Sequence, residues 1–189
     1  MSKPYAFLVI DMQNGSFTSE TPRLDAGHVC MRINTFAAAS RAQGRPVIWV
    51  QHDGTAQNCF LPQSQEWRLL NALYVAEGDV FLAKTANDAF YETNLSNWLR
   101  QEQIDRLYIA GCATDFCVNA TVLSGLNHDK EVFVLGDAHT TADRPFANAR
   151  TVIDHYNWVW ADLTPTRGFV KVLTTDEALA QVQAKLTTE

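Results

Sequence analysis

What most constrains this chain is an alternation of two patterns. Short apolar runs, "YAFLVID" (5–11), "PVIWVQH" (46–52), "DVFLAK" (79–84), "DRLYIAG" (105–111), "EVFVLGDA" (131–138) and "WVWAD" (158–162), read as strands. Between and after them lie stretches of helical periodicity at 25–43, 94–102, 115–128, 145–156 and 175–185. Strands apolar along their whole length are buried on both faces, which requires a parallel sheet with helices on each side. The crossovers should be right-handed. The expected fold is α/β: a doubly wound, mostly parallel sheet of five or six strands with helices on both faces, a Rossmann-like three-layer arrangement. No repeat, low-complexity tract or linker interrupts the 189 residues, so a single domain over 1–189 is expected, and 47% hydrophobic content is enough for one buried core.

Charge and leader composition exclude several function classes. A net charge of −6 without any run of lysines or arginines argues against nucleic acid as a partner. Only about six apolar residues precede Asp11, too few for a signal sequence or a membrane span, so a cytoplasmic protein is expected, with no membrane partner. In that compartment Cys30, Cys59, Cys112 and Cys117 should be reduced thiols. Cys30 reads as a core residue of an amphipathic stretch, and Cys59 has no assignable role.

In a doubly wound sheet, ligands bind beyond the carboxyl ends of the strands. The residues closing the strands are Asp11, His52, Lys84, the 111–117 turn, Asp137 and His139. Cys117 follows the run at 105–111, near the first turn of the next helix, where free N–H groups and the helix dipole favour a thiolate. It reads equally well as a small packed hydrophobe. Asp11 and Lys84, at what read as adjacent strand ends, are either a structural ion pair or a base and the cation that orients it. A papain-like arrangement of His139 and Asp137 with Cys117 is the competing constellation. A redox pair of Cys112 and Cys117 is hard to join, because the two should point to different sides of the strand end. The histidines show no metal-ligand spacing, and "DMQNGS" stands after the first strand where a dinucleotide fold would carry GxGxxG, so neither metal nor cofactor is expected.

Three segments, "LVIDMQNGSF" (8–17), "KTANDAF" (84–90) and "AGCATDFCVNATV" (110–122), resemble in order and spacing the motifs of the isochorismatase-like cysteine hydrolases, and the likeness runs from about residue 5 to 165. The resemblance implies Cys117 as nucleophile, Asp11 as general base and Lys84 as the third member of the triad. It implies a cis peptide bond between Cys112 and Ala113, with the N–H groups of Ala113 and Cys117 forming an oxyanion hole. The implied activity is metal-independent cleavage of an amide-type C–N bond of a small molecule through a thioester, by a homo-oligomer. Two departures narrow it. The segment after the second strand supplies one histidine and one aspartate, which does not match metal-dependent nicotinamidases, and the retained cysteine points away from vinyl-ether (isochorismate-type) cleavage. A non-catalytic small-molecule binder is the other alternative. Phe17, Gln51 and Phe90 are expected to contact the substrate. Phe60 and Trp67, in the long 53–78 loop, read rather as loop packing.

Overall fold

A computed structural model describes residues 3–183. Six parallel strands form one sheet in the order β3-β2-β1-β4-β5-β6: β1 Tyr5–Ile10, β2 Val47–His52, β3 Val80–Lys84, β4 Arg106–Cys112, β5 Glu131–Thr140 and β6 Phe169–Leu173. Five helices cover it: α1 Ala26–Ala42, α2 Leu95–Gln101, α3 Asn119–Asn127, α4 Ala149–Asp162 and α5 Thr175–Gln183. The last two residues of the helix expected over 175–185 lie outside the described residues.

Alternation along the strands divides the core into two halves. Tyr5, Phe7 and Val9 of β1 and Tyr108, Ala110 and Cys112 of β4 face α1 and α5. Ala6, Leu8, Ile10, Leu107 and Ile109 face α2, α3 and the end of α4. On the first face Tyr5, Phe36, Tyr108, Phe133 and Phe169 form a chain of ring contacts, with centroids 4.8–5.3 Å apart from Phe36 to Phe169. This aromatic row, buried except at its half-buried Phe169 end, ties β1, β4, β5 and β6 to α1.

One strand differs from expectation. "WVWAD" (158–162) is the last turn of α4, and the sixth strand is Phe169–Leu173. The helix is capped by Asn148, whose side chain accepts a hydrogen bond from the Thr151 N–H at 2.8 Å. Val152, Tyr156 and Trp160 then follow at four-residue spacing, with Trp160 fully buried and Trp158 exposed. Helical register on the sheet overrides the strand preference of the two tryptophans.

The sheet order reverses between β1 and β4, the place where such folds form a crevice. There the two strand ends approach closely. Gly111 has φ +123°, and a Cβ on it would lie 2.2 Å from the Ile10 carbonyl oxygen. Only glycine fits this point.

Candidate active site

Asp11 directly follows β1 with a left-handed backbone, φ 45°, and is 4% exposed. Lys84 closes β3. These strands are not neighbours, because β2 lies between them and pairs its His52 with Lys84. Two strand spacings, roughly 9–10 Å, separate their backbones. The long lysine stem spans that gap and places Nζ 2.7 Å from Asp11 Oδ2, with the lysine side chain fully buried. Nζ also donates to the Ala86 carbonyl at 2.8 Å. Among the described residues, neither buried Asp11 oxygen has a hydrogen-bond partner, and Lys84 alone is within ion-pair distance of them.

Cys117 is carried by a π-helical turn, Thr114–Val118, that precedes α3 and replaces the regular first turn expected from 115 onward. π turns accommodate an extra residue and recur at functional sites. The peptide bond entering this turn, Cys112–Ala113, is cis. The thiol donates to Asn87 Oδ1 at 3.5 Å. Burial pushes its pKa well above the ordinary thiol value, the Asp11 carboxylate pushes it further, and Lys84 opposes them. Burial and the Asp11 carboxylate thus act against the thiolate that the helix terminus was expected to favour.

His139 is buried with both ring nitrogens engaged elsewhere: Nδ1 with Thr114 Oγ1 at 2.8 Å and Nε2 with Asn157 Oδ1 at 2.9 Å. Burial pulls its pKa down to about 4, so the ring is neutral. Asn157 Nδ2 donates to the Gly136 carbonyl, leaving Oδ1 to accept, which assigns the proton to Nε2. Nδ1 then accepts from Thr114, the first residue of the π turn. Asp137 is taken up by Thr175 and Arg32. The papain-like constellation is not assembled. Nor is a redox pair, since Cys112 packs into the α1 half of the core, Cys117 packs against the other half, and both are free thiols.

Asp11, Cys112, Ala113 and Cys117 line a cavity of about 310 Å³, completed by Gly15, Ser16, Arg23, His52, Phe60, Asn87, Phe116 and Arg144. Its size is at the small end for ligand sites. The expected contacts Phe17, Gln51 and Phe90 are not on its wall. Phe17 packs against the α1 half of the core. Gln51 is buried and donates to the Trp67 carbonyl at 2.8 Å. Phe90 stacks on His128 with centroids 4.7 Å apart. Phe60 takes the place expected of them. The 53–78 loop that carries it is fastened to the exit of β1, where Asn14 and Gly15 donate to the Arg68 and Glu66 carbonyls and Leu70 to that of Met12. Gln13 clamps the same junction, bonding His52 N–H and the His52 and Trp67 carbonyls. Cys59 donates weakly to the Gly54 carbonyl.

Asn87, Arg23 and Arg144 were not anticipated. Asn87 was readable, since it lies inside "KTANDAF". Arg144 is held by Asp115 through two bonds of 2.7 and 2.9 Å and lies over the Phe116 ring. Among the described residues no three histidines, cysteines or carboxylates are grouped to hold a metal ion. Likewise, no described helix is long and apolar enough to cross a membrane.

Comparison with known proteins matches residues 5–176 to the isochorismatase domain. The chain belongs to the isochorismatase family. An uncharacterised isochorismatase family protein of Bacillus subtilis, YddQ, is 26% identical over 88% of this chain and 98% of its own. The ureidoacrylate amidohydrolase RutB of Methylorubrum extorquens is 28% identical over 90% of this chain and 83% of its own. A streptothricin hydrolase of Streptomyces noursei is 28% identical over 75% of this chain but only 51% of its own length. Among solved structures, an isochorismatase-type protein of Burkholderia xenovorans superposes with TM-score 0.86 at 29% identity, covering 97% of this chain and 89% of that one. The family comprises hydrolases, some of them amidohydrolases.

Proposed function

We propose that this isochorismatase-family protein is a metal-independent cysteine hydrolase that cleaves an amide-type C–N bond of a small molecule through a thioester. The observation that carries this reading is the buried Asp11–Lys84 pair set against the Cys117 thiol at the wall of the cavity. Amidohydrolases among its relatives support the bond class.

The resting state is a thiol beside a carboxylate. As Sγ attacks the substrate carbonyl, the thiol proton passes to Asp11, and the carbonyl π electrons move to oxygen. The N–H groups of Ala113 and Cys117 are assigned to that oxyanion. When the intermediate collapses, the C–N bond breaks and Asp11 returns the proton to the departing nitrogen, releasing ammonia or an amine. Water then loses a proton to Asp11 and attacks the thioester, and the sulfur leaves with that proton. Lys84 compensates the carboxylate in its charged form and moderates the sulfur's negative charge. Asn87 accepts from the thiol in the resting state, and the S–H turns from Asn87 to Asp11 before its proton is transferred.

The test is ammonia release from a panel of small primary amides and ureido acids, with intact-mass detection of a covalent adduct on Cys117. An acyl adduct that Cys117→Ala lacks is the expected result. Turnover that survives Cys117→Ala would overturn the assignment. The reading also includes unchanged activity in excess chelator and a homo-oligomer by light scattering at micromolar concentration.

A further inference from the structure

The charges around the cavity are matched in pairs, with one exception. Asp11 is matched by Lys84, and Arg144 by Asp115. His52 is held below its ordinary pKa by burial and by the nearby Lys84, which disfavour a positive charge on it. Arg23 is different. Its Nε donates to the Ser16 carbonyl at 2.7 Å, which fixes the plane of the guanidinium. Its Nη1 is buried and has no hydrogen-bond partner, and among the described residues no carboxylate lies within ion-pair distance of it. Both Arg23 and Cys117 line the same cavity.

A guanidinium N–H removed from water and left without an acceptor is costly, and such donors are nearly always satisfied in native proteins. A fork pinned at Nε leaves its remaining N–H groups to meet one planar acceptor. Carboxylate and phosphate both match that fork, and carboxylate is the planar and smaller of the two, as a cavity of about 310 Å³ requires. We infer that Arg23 anchors a carboxylate of the substrate, so that the molecule cleaved at Cys117 is a small anionic amide with its acid group on the Arg23 side of the cavity and its scissile carbonyl at the sulfur. The inference rests on the cysteine-hydrolase reading for the second half of that statement. The carboxylate anchor itself can be measured without any turnover.

The probes are malonamate, succinamate and glutaramate, each paired with its neutral diamide, so that within a pair an uncharged amide of nearly the same size replaces the carboxylate while spacer length varies across the set. Binding is measured by calorimetry on Cys117→Ser, which prevents cleavage, and on Cys117→Ser carrying Arg23→Gln or Arg23→Lys. At least one acid should bind about tenfold or more tighter than its diamide, the usual worth of a charge-assisted hydrogen bond. Arg23→Gln should bring that ratio close to one, and Arg23→Lys should give an intermediate value. A merely structural role for Arg23 would weaken acid and amide together and leave the ratio alone. Equal binding of acid and diamide, no binding at any spacer length, or a ratio unmoved by Arg23→Gln would each overturn the inference. Acid preference without ammonia release from the wild-type protein would retain the anchor and reject the hydrolase reading, so the two failures are told apart.

Discussion

Replacing Asp11 by Asn should abolish turnover and yet make Cys117 more reactive toward an alkylating reagent. The two effects have opposite signs because Asp11 has two consequences for the sulfur. In the proposed mechanism it receives the thiol proton as a base, so its loss should cost roughly 10²–10⁴ in rate. As a fixed negative charge it resists formation of a thiolate, adding to the effect of burial. Two charges about 4 Å apart at an effective dielectric near 20 interact by about 4 kcal/mol. If only a third of that acts on the sulfur, about 1.4 kcal/mol, the thiolate population at a given pH rises tenfold when the carboxylate is removed. Lys84 remains, held by the Ala86 carbonyl, and its attraction for the thiolate is then unopposed. The assay is the pseudo-first-order rate of iodoacetamide alkylation between pH 6 and 10, with the modified peptide identified by mass. Asp11→Asn should be alkylated about tenfold faster than wild type at pH 7. A rate unchanged or slower would refute the placement of the carboxylate against the thiol.

Lys84→Met should lose turnover and about 3–5 kcal/mol of stability in urea melts, because it strands the Asp11 carboxylate in a buried site. Cys117→Ser should abolish ammonia release without lowering Tm appreciably, whereas Cys112→Ala should retain measurable activity; equal loss in both would contradict the roles assigned to the two thiols. His139 is held neutral with its pKa near 4 in the fold and takes a proton near 6.5 when unfolded, so its contribution is complete above about pH 6.5 and is lost as pH falls toward 4. Wild type should therefore lose about 3 kcal/mol more than His139→Gln between pH 7.5 and 4, measured by urea melts. Gly111→Ala should lose at least about 3 kcal/mol, since its methyl group would meet the Ile10 carbonyl; a wild-type Tm would show that the β1 and β4 ends are not so closely apposed.

The sheet was legible because unbroken apolar runs mark parallel strands, and parallel strands end on one edge, which also put Asp11, Lys84, the Cys117 turn and His139 together. The choice of Asp11, Lys84 and Cys117 over His139 rested on the family resemblance. What misled was information the chain holds only in three dimensions. "WVWAD" has strand-like composition, but the Asn148 cap and the spacing of Val152, Tyr156 and Trp160 make it helix. Asp11 and Lys84 looked like adjacent strand ends because strand order cannot be read from strand sequence. Phe60 reaches the cavity from a loop position with φ 46°, a conformation that composition does not foretell. Arg23 lies in a polar loop that no sequence pattern marked, and only the fold brings it beside the β4 exit. The raised pKa of Cys117 had no local signal either, since it depends on burial and on a carboxylate 106 positions away in the chain.

The protonated resting state of Cys117 bears on how the protein withstands peroxide. Oxidation to sulfenic and then sulfinic acid proceeds through the thiolate, and cysteines that sense oxidants have low pKa values and open access. Here burial and the Asp11 carboxylate both act against that form. On the proposed mechanism the site would keep its nucleophile in reserve, and the Cys117 thiol should react slowly with hydrogen peroxide diffusing in from solvent. Cys112, pushed up to about 12 and fully buried, offers no second thiolate with which a sulfenic acid at Cys117 would condense. Oxidative loss of activity should therefore be slow, and once it occurs it should run on to the irreversible sulfinic form rather than stop at an internal disulfide.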